Sequence, residues 1–108
     1  MMICRQKLIK TMDGLGYRES LKGTEFIRQA AVIMAADSLA MMTKDVYPAI
    51  ARAAGISPAR VERAMRTATG AAMRSPGWGE AWRELGGWNH PTNAEVCARL
   101  ARECDDEN

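Results

Sequence analysis

In 108 residues there is one histidine, His90, no glycine-rich phosphate loop and no group of residues spaced as metal ligands. General acid–base catalysis, nucleotide hydrolysis and metal chemistry each lean on one of those features. An enzyme is therefore the weakest class for this chain, and no cofactor is expected. The carboxylates Asp37, Glu62, Glu80 and Glu84 are scattered and read as solvated or ion-paired groups. Cysteine is sparse and odd in number: Cys4, Cys97 and Cys104 include no CxxC pair. That pattern argues against a disulfide framework and fits reduced thiols in a cytoplasmic protein. Cys97 and Cys104, seven residues apart on one side of a predicted helix, suit a core better than a zinc site with His90. The start, MMICRQKLIK, lacks the sustained apolar stretch of a signal peptide, and no apolar run approaches a membrane span. Strand patterns, internal repeats and low-complexity linkers are also missing.

What the chain does have is apolar residues at helical spacing and charge gathered in blocks. An apolar fraction of 47% in 108 residues fits one domain, residues 1–108, with a modest core. The net charge is only +2, yet residues 43–74 carry six Lys/Arg against two Asp/Glu, while residues 75–108 carry three against seven. The middle of the chain is thus the basic part, and the C-terminal third is acidic.

Within the basic block, YPAIARAAGISPARVERAMR (47–66) reads as two helices joined by a tight turn. Gly55 stands where the first helix must end in a left-handed conformation. Ser57 can N-cap the second helix, and Pro58 fits its first position. Ile50, Ala51, Ala54, Ile56, Val61 and Ala64 supply the small and apolar side chains of the seam. From Pro58 on, Val61, Ala64, Met65, Ala68 and Ala72 form the buried side, with the helix running to about Arg74. Arg60, Glu62, Arg63, Arg66, Thr67 and Arg74 fall largely outside it. This is the pattern of a helix-turn-helix whose second helix presents arginine to a major groove, where arginine pairs bidentately with guanine or clamps phosphate.

The other elements read as follows. A first helix covers 2–13, with Ile3, Leu8, Ile9 and Met12 inward and Gly14 or Gly16 ending it. Tyr17 then wedges between helices. A long central helix covers about 24–41, capped by Thr24 unless residues from Ser20 onward are helical as well, with Leu39 and Met41 among its apolar positions and Asp37 facing solvent. Thr43 caps the next helix, which either begins near Pro48 or carries an irregularity at Tyr47-Pro48. SPGWG (75–79) breaks the chain before a short helix at 79–85 covered on one side by Trp78 and Trp82. Gly86-Gly87, Trp88 and HPTN form a loop. Thr92 or Asn93 caps a last helix to about 104, with Val96, Cys97, Leu100 and Cys104 inward, and the acidic tail 104–108 frays.

Taken in order, LGY (15–17), LKG (21–23), TKDVYPAIA (43–51), SPARVERAMR (57–66) and PTNAEV (91–96) resemble the DNA-binding effector domain of the sporulation stage-zero response regulator family. The resemblance spans about residues 5–104. It implies an all-α, six-helix domain, winged-helix-like but without strands. It also implies tandem dimers on short repeated DNA boxes, with the helix of 57–74 in the major groove. Arg60, Glu62, Arg63 and Arg66 match the family's recognition-helix positions, and Thr67 stands where relatives often carry histidine. The last helix and the PTN turn match a region of dimer contact, and residues 75–90 match the part that faces RNA polymerase. The expectation is a stand-alone effector domain, read without the phosphoacceptor receiver domain that precedes it in the family.

The functional expectation is a sequence-specific DNA-binding transcriptional regulator. Base reading is assigned to Glu62, Arg63, Arg66 and Thr67. Phosphate binding is assigned to Lys44, Ser57, Arg60 and Arg74. The partners are double-stranded DNA and a second copy of the chain, with an RNA polymerase sigma factor as a further candidate and no membrane. The alternative is a protein-interaction module that assists or opposes a full-length regulator or sigma factor, favoured by the three tryptophans and the acidic C-terminal part.

Overall fold

Six α-helices and one π-helical turn carry the structure of residues 3–105, the residues described by the computed structural model. They are α1 (Arg5–Leu15), α2 (Lys22–Ala36), the π-helical turn (Met42–Val46), α3 (Tyr47–Ala54), α4 (Pro58–Met73), α5 (Trp78–Glu84) and α6 (Asn93–Glu103). Among the described residues, extended pairing is confined to one isolated antiparallel bridge, Ile3 with Asp105. The fold is all-helical, as the sequence patterns predict.

The central helix is α2, which packs against α3, α4 and α6. Its buried positions, Phe26, Ile27, Ala30, Ala31 and Ala35, recur at spacings of one, three and four, so one broad face is apolar. Where α2 begins, it lies backbone to backbone against α4. A Cβ at Gly23 would overlap the Ala64 carbonyl, so only glycine allows this approach. Val61, Met65, Ala68 and Ala72 of α4 complete the contact, and all are fully buried.

The helix-turn-helix forms at the predicted place. Gly55 ends α3 with φ 72°, in the left-handed region. Ser57 N-caps α4, its Oγ accepting from the Arg60 amide at 3.2 Å, and Pro58 occupies the first turn. The proline at 48 shows its effect upstream. A proline inside an α-helix collides with the carbonyl four residues before it. Here the preceding turn is widened to π-helical spacing, with the Val46 amide on the Met41 carbonyl at 3.0 Å, before α3 starts at Tyr47.

Several local expectations are corrected. Ile9 is exposed, because α1 turns inward only along Leu8, Met12 and Leu15. Thr24 does not cap α2. It lies inside the helix, buried, and its hydroxyl donates to the Arg18 carbonyl at 2.6 Å. The helix stops at Ala36 rather than 41, since the Asp37 carboxylate accepts the Leu39 amide at 3.0 Å and turns the chain outward. Leu39 and Met41 are consequently 85% and 60% exposed, not core. Thr43 is not a cap either; the Asp45 carboxylate takes the Met41 amide instead. Ala54, at the end of α3, is exposed rather than part of the seam.

On the far side of α4, Tyr17 is buried as the expected wedge. Its hydroxyl bonds to the Thr69 hydroxyl at 2.7 Å, and its ring meets Trp78 edge-on, with centroids 6.2 Å apart. Trp78 in turn stacks on Trp82 at 5.4 Å. Thr92 N-caps α6 in a full capping box with Glu95. Glu95 has its carboxyl pKa lowered by accepting the Thr92 amide. Burial pushes the Cys97 thiol up to about 12, so it stays neutral and serves as packing. The tail is not frayed where it is described: Cys104 and Asp105 are buried, and the Cys104 carbonyl accepts the Cys4 amide at 2.7 Å. The remainder of the expected acidic tail, 106–108, lies outside the described residues. The first helix runs over Arg5–Leu15 rather than 2–13, because Ile3 is held extended in its bridge to Asp105 and Cys4 is the N-cap.

Candidate nucleic-acid interface

One edge of α4 is turned to solvent for its whole length. At 100° per residue, Ala59, Arg63, Arg66, Gly70 and Arg74 point away from the buried line through Val61, Met65, Ala68 and Ala72. Arg60, Arg63, Arg66, Thr67 and Arg74 are all exposed, and Glu62 is half-buried. Arg60 and Arg63 have no ion-pair partner among the described residues. Arg66 reaches Glu62 one turn back at 3.3 Å, on a largely solvated surface. Such a pair contributes at most about 0.5 kcal/mol, so it leaves Arg66 free to exchange partners.

The fold sorts these residues onto two flanks. Arg60, Arg63 and Thr67 line a recess of about 300 Å³ shared with Lys22 and Gly23 at the start of α2. Glu62 and Arg66 line a recess of about 390 Å³ on the other side, with Tyr47, Thr43 and the Pro91–Asn93 segment. Arg63, on one flank, and Arg66, three residues on and on the other, border the ridge between them.

The remaining expected contact residues are less tightly grouped. Ser57 uses its oxygen lone pair as the cap of α4, which places its hydroxyl at the tip of the arginine face. Lys44 is exposed in the π-helical turn, next to Thr43, but does not itself line the Arg66 recess. Arg74 is the C-cap of α4. At about 1.5 Å per residue it stands roughly 26 Å along the axis from Ser57, about twice the width of a major groove. Its guanidinium folds back over Gly70, near enough that a Cβ there would lie 3.8 Å from Nη1.

Three further residues of this surface carry no signal in local periodicity. Lys22 adds a cation beside Arg60 and Arg63. Asn93, the first residue of α6, donates from its side-chain amide both to the Tyr47 hydroxyl at 3.1 Å and to the Glu62 carbonyl at 3.2 Å. Tyr47 is half-buried, and its hydroxyl pKa is raised, chiefly by burial and in part by the nearby Glu62 charge. The motifs LKG, TKDVYPAIA and PTNAEV contain all three, but nothing in spacing along the chain says that they converge on α4.

Among the described residues no helix is long and apolar enough to cross a membrane. A family model described as sporulation initiation factor Spo0A C terminal matches residues 8–104. The match takes in most of α1, all of α2 to α6 and the whole arginine face. That family is one of DNA-binding regulatory domains and not a known enzyme family. With an all-helical fold, a helix-turn-helix and a solvent-facing arginine edge in place, this chain belongs to the family of Spo0A C-terminal domains, the DNA-binding effector domains of sporulation regulators.

Proposed function

We propose that this chain acts as one unit that binds double-stranded DNA sequence-specifically, with α4 seated in the major groove and transcription of sporulation genes as its output. The observation that carries the reading is the solvent edge of α4, on which Arg60 and Arg63 have no ion-pair partner among the described residues and Arg66 has only a weak one. Unpaired guanidinium groups on the N-terminal half of a rigid, capped helix fit base edges and phosphates.

In this reading Arg63 and Arg66 pair with bases along the ridge. Glu62 accepts from a cytosine amino group or holds Arg66 in register, and Thr67 contacts a base edge from the α2 flank. Arg60, beside Lys22, and Ser57, at the helix tip, hold phosphates of one strand. Lys44 and Arg74 reach phosphates farther out, and their separation from the central group spreads the contacts over both backbones. The modest net charge of +2 favours two copies on repeated half-sites over one copy alone. The place of action is the cytoplasm.

The test is a selection of duplexes from random sequence, followed by titration of the selected site. A repeated motif bound at nanomolar concentration, with affinity falling steeply with salt, is the expected result. Recovery of no enriched sequence, or an affinity indifferent to salt, sinks the assignment.

One observation favours a second, protein-directed contact. Trp88 is 79% exposed in the loop between α5 and α6 and lines neither recess that holds Arg60, Arg63 or Arg66. A solvent-facing tryptophan there suits docking to a sigma factor of RNA polymerase or to a full-length regulator. Retention of a purified sigma factor by the wild type but not by Trp88→Ala is the expected outcome; equal retention removes this reading.

A further inference from the structure

Asn93 links three helices through one side chain. It begins α6, and its amide nitrogen donates to the Tyr47 hydroxyl on α3 and to the Glu62 carbonyl in the first half of α4. The chemistry of these partners fixes the direction of both bonds. A backbone carbonyl can only accept, so Asn93 must turn its NH2 group, not its oxygen, toward Glu62. The Tyr47 hydroxyl is bonded to that same nitrogen and must accept as well. A phenolic hydroxyl that accepts still has its own proton to give. Among the described residues no acceptor takes that proton.

The proton is held where a ligand can meet it. Tyr47 lines the open recess of about 390 Å³ on the α6 flank of α4, together with Arg66 and Glu62. Its ring is half-buried, so the hydroxyl is anchored while its outer edge is reachable. Burial holds its pKa above the ordinary tyrosine value, so it is a neutral donor throughout the physiological range. An oriented O–H beside an arginine guanidinium is a complementary pair for an oxyanion.

We infer that the Tyr47 hydroxyl, aimed by Asn93, donates a hydrogen bond to a DNA phosphate oxygen on the Arg66 side of the groove. This inference rests on the placement of α4 in the major groove and adds a contact that the arginine pattern does not contain. Tyr47 touches the ligand; Asn93 is a positioning residue. The contact is neutral, so it differs from those of the arginines in what it does to the salt dependence. An arginine that neutralises a phosphate steepens the fall of affinity with salt by about one counterion, whereas a phenol does not.

The experiment compares Tyr47→Phe, Asn93→Ala, the double variant and Arg63→Ala with the wild type, all on the duplex selected by the wild type. Tyr47→Phe keeps the ring and removes the donor. It is expected to bind roughly tenfold more weakly, equally on the selected site and on single-base variants of it, with the wild-type salt slope. Asn93→Ala is expected to lose a comparable factor, and the double variant to lose no more than the larger single loss, because both act through one contact. Thermal melting of each variant separates this from loss of fold, and Tyr47→Phe keeps the question answerable if Asn93→Ala does not fold. If Arg63→Ala loses binding while Tyr47→Phe binds as the wild type does, this inference fails and the placement of α4 stands. If no duplex binds the wild type, both fail.

Discussion

The two flanks of α4 carry the same cation in different settings. Toward α2, Arg60 and Arg63 stand beside Lys22 with no carboxylate in their recess. Toward α6, Arg66 shares its recess with Glu62 and with the Asn93–Tyr47 hydrogen bond. The first flank is positioned by packing, since Gly23 brings the two helix backbones into direct contact. The second is positioned by directional polar bonds across three helices. Close packing tolerates almost no change of volume, whereas a hydrogen-bonded frame loses only the bonds that are removed. Damage to the support of the first flank, at Gly23, should therefore register mainly as loss of fold, and damage to the support of the second, at Asn93 and Tyr47, mainly as loss of binding.

The strongest way to break that contrast is Gly23→Ala. The added Cβ meets the Ala64 carbonyl, and backbone cannot move aside as a flexible side chain can. Unfolding in urea should show a loss of about 3 kcal/mol, with DNA affinity falling only as the folded fraction falls. A variant as stable as the wild type would show that the α2–α4 approach is adjustable. Next in size, Arg63→Ala should weaken binding to the selected duplex by about 2 kcal/mol and broaden the bases accepted at one position, with its melting temperature unchanged. A loss that is uniform across sequences would move Arg63 from base reading to phosphate binding. Ser57→Ala removes the α4 cap and should lower stability by about 1 kcal/mol in a denaturant titration. A loss of affinity larger than that destabilisation accounts for would show the hydroxyl touching DNA. Smallest is Glu62→Gln, which breaks an exposed pair and should change stability by less than about 0.5 kcal/mol. Its effect should instead appear as altered preference at the base that Arg66 meets, read by selection from random sequence.

How much of this could be read along the chain depends on the range of the interaction. The turn at Gly55, the Ser57 cap, the Pro58 start and the inward line Val61, Met65, Ala68 and Ala72 are local, set within one or two helical turns, and all appear as read. The break at 37–41 was not legible, because Leu39 and Met41 continue an apolar pattern that the Asp37 side chain interrupts through a single bond to the Leu39 amide. Ile9 failed for the opposite reason. Its spacing from Met12 suits one face, but α1 packs mainly against α5 and has no neighbour on that side. The arginine edge was legible as charge and period, and its division into two flanks was not.

Sequence alone determined that this chain is helical, where its helix-turn-helix lies, which face of the second helix is basic, and the family to which it belongs. The first three rest on caps, turn residues and periodicity, whose physics acts over a few residues and is written in their order; the family rests on the resemblance of whole motifs and the family match over residues 8–104. Only the tertiary structure decided that Gly23 admits α2 to the backbone of α4, that Lys22 joins Arg60, and that Asn93 sets the Tyr47 hydroxyl beside Arg66. Those contacts join residues 31 to 46 positions apart in the case of Asn93. Neither chain order nor period brings such residues together; the packing of α2, α3, α4 and α6 around one core does.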